Sequence, residues 1–266
     1  MKYTKTGRAH KYEFDSCADM LKFIEETNRV EGMNRNTSHE SSYRNDSYYG
    51  TKSFDEAKEL MIYGDNTNAV KLNQKVNTSF QISNTKTSKS FYSVCGYQAS
   101  VPRYMQGIPT SMINSKKVVK KFPVVNVVKM IDYACLYSAS DIIDYSTKAL
   151  QIVKAIEEKG TRVNLSVMSV CHCEHAETLI TVVKIKNAEE RMNVSKIAFA
   201  MINPSMLRRM FFAIIERTKF DVRQSRWNSI YGTYEMPMDE ARKYIKDQDI
   251  LLPRRIEKVE DFLKNF

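Results

Sequence analysis

Residues 122–170 read FPVVNVVKMIDYACLYSASDIIDYSTKALQIVKAIEEKGTRVNLSVMSV, and this stretch decides the fold class. Val124, Val125, Val127, Val128, Met130 and Ile131 form a near-continuous apolar run, the pattern of a strand buried on both faces inside a parallel sheet. The run ends at Asp132. Ser138 followed by Asp141 has capping-box spacing, and Ile142, Ile143, Leu150, Val153 and Ile156 recur with helical period until Gly160 stops the helix. Val163 to Val170 is a second apolar strand. Strand, crossover helix and strand imply a right-handed β-α-β unit with adjacent parallel strands. Open α/β sheets bind ligands outside the carboxyl ends of their strands, which makes Asp132 the ligand-edge candidate.

Outward from this unit, Thr178 to Ile185 lies close enough to pair with the second strand as a hairpin across residues 171–177. Val194, Ile197, Ala198, Met201 and Ile202 have helical spacing, with a strand over 197–202 as the alternative. Asn203 and Pro204 open a strong helix carrying Leu207, Met210, Phe211, Ile214 and Ile215. Toward the C-terminus the pattern predicts a helix over 239–246 and a short strand over 250–252.

On the N-terminal side, Ser16 with Asp19 and Ser53 with Glu56 cap two helices, the second ending at Gly64, and a more polar helix is predicted around Val70 to Phe80. Between them, residues 31–50 are rich in Asn, Ser, Arg and Tyr and read as a mobile loop or an interaction segment. A strand over 91–97, a one-turn helix from Ser100 to Gly107 and the basic run Lys116, Lys117, Lys120 and Lys121 precede the central unit. The expected architecture is α/β: a mostly parallel central sheet with helices on both faces. Residues 1–90 form a helical and irregular N-terminal extension, and 91–266 form the α/β domain.

With 266 residues, 42% of them hydrophobic, the chain has material for one sizeable core. No apolar run reaches the length of a membrane span, and the polar N-terminus lacks a signal-peptide core, so a soluble intracellular protein without a membrane contact is expected. Five scattered cysteines are poor material for a disulfide framework and read as reduced thiols. A formal net charge of +10 suits an anionic partner, either nucleic acid or an acidic protein surface.

Several residue patterns carry chemistry. Arg208 and Arg209, with Arg223, Arg226, Trp227 and Tyr231 beyond them, combine cations and aromatics as a phosphate track does, and the four lysines of 116–121 add a second basic group. The alternatives are internal ion pairs for the arginines and a solvated strand approach for the lysines. Cys171, Cys173 and His175 would share one face of a strand and are the weak candidates for a metal such as zinc, although no second tight cluster completes a site. Cys135 and His172 are conceivable partners across strand ends, with a buried thiol as the plain alternative. Neither G-x-x-x-x-G-K nor G-x-G-x-x-G occurs, which argues against nucleotide hydrolysis by a phosphate loop. No cofactor is expected.

The order of elements after residue 122 resembles the first half of a von Willebrand factor A-like domain. That family ends its first strand in Asp-x-Ser-x-Ser to hold a divalent cation. Here the stretch is Asp132, Tyr133, Ala134, Cys135, Leu136, so only the aspartate matches and the metal motif is degenerate. Tyr49-Gly50-Thr51, Phe54-Asp55-Glu56-Ala57, Cys95-Gly96-Tyr97, Gly107-Ile108-Pro109 and Pro204 to Phe212 are similar to an uncharacterised family of tailed phages and prophages. That resemblance implies a phage-encoded protein in an infected bacterial cytoplasm, or in the virion, and brings no catalytic residue. The functional expectation is a non-enzymatic binding protein for nucleic acid or a nucleoprotein complex. A protein-interaction or virion-assembly component, oligomeric and contacting phage or host protein, is the alternative, and a metal-assisted enzyme comes third.

Overall fold

The computed structural model describes residues 1–33, 46–75, 88–117, 122–134, 137–173, 177–221, 227 and 236–263. Packing divides the chain into two units, Met1–Phe80 with Val124–Phe266, and an insert of Gln81–Pro123. The boundary expected at residue 90 is therefore not where the structure divides the chain.

The main unit is built on a six-stranded sheet. Its strands are β1 (Lys2–Thr6), β2 (Ala9–Phe14), β6 (Val124–Met130), β7 (Arg162–His172), β8 (Thr178–Lys186) and β9 (Ile250–Leu252), ordered β1-β2-β8-β7-β6-β9. The parallel pairs are β2/β8, β6/β7 and β6/β9, whereas β1/β2 and β7/β8 are antiparallel. The sheet is thus mixed rather than mostly parallel. The expected β-α-β unit is β6, α6 (Ala139–Glu158) and β7, and β7 with β8 forms the expected hairpin.

Strand alternation feeds two apolar layers. Val127, Ile131, Val163, Leu165, Val167, Leu179, Val183, Tyr12 and Phe14 join the larger core, while Val128, Met130, Met168, Val170, Ile180 and Leu251 join a second cluster with Met236 and Ala241. Successive strand residues point to opposite faces, so these are the two sides of one sheet. The large layer holds residues of α1 (Cys17–Glu26), α3 (Phe54–Tyr63), α4 (Asn66–Lys75), α6 and α7 (Val194–Ile202). It also holds the π-helical segment Met206–Phe211 and α8 (Phe212–Ile215), and the smaller layer is supplied by α9 (Met238–Arg242). Short helices α2 (Asp46–Tyr49) and α10 (Glu260–Leu263) complete the unit.

Local signals account for the helix ends. Ser16, Ser53 and Ser138 accept the N–H of Asp19, Glu56 and Asp141, each satisfying one of the orphan donors of a helix N-terminus. Every residue from Ile197 to Ile202 and from Met206 to Ile215 is buried, as helices apolar all round must be. Among the described residues no single helix is long and apolar enough to cross a membrane; α7 and the helix after it meet at 67°.

The insert contains β3 (Ser88–Ser93), β4 (Gln98–Ala99), α5 (Val101–Met105) and β5 (Met112–Lys117), with strand order β3-β5-β4, all antiparallel. Gly96 is needed where the chain crosses β5, because a Cβ there would lie 2.1 Å from the Ile113 carbonyl oxygen.

Candidate nucleic-acid interface

Residues 81–123 contain Lys86, Lys89, Arg103, Lys116, Lys117, Lys120 and Lys121 and no Asp or Glu. Seven of the chain's ten net positive charges therefore fall in the insert. Lys116 is exposed, and the register sets Lys89 directly opposite it. Phe91, Tyr92, Tyr97 and Tyr104 are all exposed. Strand period two puts Phe91 on the Lys116 face and Tyr92 on the other. The guanidinium of Arg103 lies 4.2 Å above the Tyr92 ring and donates to Thr110 O and Oγ1, which ties the α5 loop to the sheet. Cations beside exposed rings on a small sheet are the parts of a phosphate track with base-stacking platforms.

Of the four lysines expected in a phosphate track, Lys116 is exposed at the end of β5, and Lys117 closes that strand opposite Ser88. Lys120, Lys121, Arg223, Arg226 and His175, and residues 34–45 of the expected loop, lie outside the described residues. What sequence reading missed was the insert as a unit, with its aromatics and Arg103. The readable signal was the absence of acidic residues from Gln81 to Pro123, hidden by a boundary drawn inside β3.

Arg208 and Arg209 are placed elsewhere. Both are buried, on the π-helical segment and under residues 48–51, rather than on an exposed track. Arg208 Nη1 donates to Tyr48 O, and its guanidinium lies 4.1 Å from the Tyr48 ring centre. Arg209 donates to Thr51 Oγ1 and O, both at 2.8 Å, and lies 4.6 Å from the Tyr49 ring centre. Thr51 Oγ1 also meets Ser205 Oγ at 2.8 Å. Gly50 (φ +76°) allows the approach, since a Cβ would lie 2.7 Å from Asn203 Oδ1 and Pro204 Cδ. The arginines thus fasten one part of the main unit to another, which a burial-blind count of basic residues did not reveal.

The carboxyl end of β6 is also filled from within. Asp132 is buried and pairs through Oδ2 with Arg254 at 2.8 Å, leaving Oδ1 buried without a hydrogen bond. Burial raises its carboxyl to about 6, against the pull of Arg254. Lys129, fully buried, donates to Met130 O, Pro253 O and Arg254 O at 3.1, 2.6 and 2.8 Å. Burial pushes its ammonium down to about 7, while three carbonyls, one for each N–H, oppose that fall. The site expected at this edge is thus occupied by the chain's own two cations, and neither Lys129 nor Arg254 was singled out beforehand. Cys171 and Cys173 pack against or within the larger core, and burial raises the Cys171 thiol to about 12. Among the described residues no three His, Cys, Asp or Glu side chains converge as metal ligands would.

Compared with known proteins, residues 2–266 match the sequence profile of a domain of unknown function, DUF7192. No curated protein and no solved structure matches the chain.

Proposed function

We propose, for a chain that belongs to the DUF7192 family, that it is a nucleic-acid-binding protein whose contact surface is the insert of residues 81–123. The observation that carries this reading is an insert whose sequence has seven cations and no carboxylate and whose described part, built on a small antiparallel sheet, exposes four aromatic rings. Exposed rings favour single strands, whose bases are free to stack. The main unit then acts as the scaffold. Its strand order β8-β7-β6-β9, with β7 antiparallel to β8, supports a von Willebrand A-like core in which internal cations replace the family's ion. The similarity to tailed-phage proteins supports a role in an infected bacterial cytoplasm.

The test is fluorescence anisotropy of a labelled single-stranded oligonucleotide titrated with the full chain at fixed low salt. Lys116→Glu with Lys117→Glu is expected to weaken binding at least tenfold, and Phe91→Ala with Tyr92→Ala by a similar factor, since a stacked base contributes about 1–3 kcal/mol. Equal affinity for wild type and both variants would remove the insert from the interface.

A further inference from the structure

The edge of the main sheet carries a hydrogen-bonded chain that nucleic-acid binding by the insert does not use. Tyr3 Oη on β1 lies 2.8 Å from His10 Nδ1 on β2, and His10 Nε2 lies 2.7 Å from Glu177 Oε1. Tyr3 is 44% exposed, whereas His10 and Glu177 are 1% and 2% exposed. Glu177 Oε2 accepts the backbone N–H of Asp221 at 2.9 Å, which fixes the carboxylate. His10 rests edge-on against Phe220, itself stacked on Trp227 at 3.8 Å, so the imidazole has a rigid apolar floor.

The order of donors follows from chemistry. An ionised carboxylate only accepts, so the proton on the His10–Glu177 bond belongs to Nε2. In the neutral ring Nδ1 then presents its lone pair to the Tyr3 hydroxyl, the tautomer a base requires. Nucleophile, base and orienting carboxylate stand in the sequence of a catalytic triad, with a phenol as the nucleophile. The β1–β2 hairpin carries Lys2, Lys5, Arg8 and Lys11 against Glu13, with Lys11 paired to Glu13 and Lys5 to Asp221, both at 2.8 Å, and the register puts Lys5 opposite His10. An anionic electrophile fits this surface.

We propose that Tyr3 is a nucleophile toward phosphodiesters, with His10 as its base and Glu177 as the positioning residue. Tyr3 Oη forms a bond to phosphorus as the bond from phosphorus to the leaving alcohol oxygen breaks. The phenolic proton passes to His10 Nδ1. The electron pair of the broken bond departs with the alcohol oxygen, which takes a proton from water, and the imidazolium returns its proton to the hydroxide so formed. The products are a phosphotyrosyl diester and a free alcohol.

The test uses the full chain and the p-nitrophenyl ester of thymidine 5′-monophosphate, a small diester whose reaction does not depend on the insert. Nitrophenolate release is followed with intact mass and peptide mapping. Wild type is expected to release about one equivalent and to carry a nucleotidyl adduct on the Tyr3 peptide. Tyr3→Phe, which keeps the ring of a residue that is 44% exposed and whose folding is checked by its melting temperature, gives no adduct. His10→Gln forms the adduct at least a hundredfold more slowly, the scale of a lost general base. No adduct on wild type, or an equal adduct on Tyr3→Phe, overturns the proposal whatever the insert binds.

Discussion

Asp132 holds its carboxylate where water cannot solvate it, and that fact has a consequence for stability. Burial raises its folded-state carboxyl to about 6, well above an unfolded aspartate near 3.9. Between about pH 4 and 6 the native state therefore binds the proton that the unfolded chain has lost. Stability contributed by this residue is complete below pH 4 and disappears as pH rises through 6. Urea unfolding across that window is expected to show a component falling with pH that is absent in Asp132→Asn. Identical slopes for the two proteins would show that Asp132 does not titrate as described. The aspartate itself stood out in the sequence because it follows an apolar strand. Its partners did not: Arg254 lies 122 positions away, and Lys129 sits inside a strand pattern where a buried ammonium is rare. A one-dimensional pattern shows where a carboxylate stands and not which cation the fold brings to it.

Among the elements, those with strong periodicity were legible. β6, α6, β7, β8 and α7 carry long apolar patterns with caps and stops, and the structure has each of them close to its expected bounds. β1 and β2 were not legible as sheet strands. Every residue of Lys2–Thr6 is exposed, so it carries no apolar signal, and β2 is only six residues long. What places β2 is pairing with β8, and β1 in turn pairs with β2; the β2/β8 contact is made by the fold and not by local preference. The docking of residues 48–51 on the π-helical segment is similarly non-local, and Gly50 tests it. Gly50→Ala meets both a positive φ and side-chain atoms 2.7 Å away, and is expected to destabilise the main unit by more than about 1 kcal/mol. An unchanged urea midpoint would mean that this segment is not held as described.

For the whole molecule, charge is distributed far less evenly than composition suggests. A net charge of +10 describes a moderately basic protein, yet seven of those charges lie between Gln81 and Pro123. The remainder of the chain is close to balanced, and many of its cations are committed to internal partners, among them Lys129, Lys186, Arg209 and Arg254. The sequence leads one to expect an anionic partner and part of its contact surface on Arg208 and Arg209, which the fold buries. Burial separates structural cations from those facing solvent, and no spacing rule substitutes for it.

The measurement that bears most directly on the insert as a nucleic-acid surface is the salt dependence of oligonucleotide affinity. Each phosphate neutralised on a single strand contributes about −0.7 to the slope of log K against log salt. With four or more of the seven insert cations in contact, wild type is expected to show a slope of about −3 or steeper, and Lys116→Glu with Lys117→Glu one shallower by about 1.4. A slope near zero, or no binding at about 50 mM salt, would contradict the assignment.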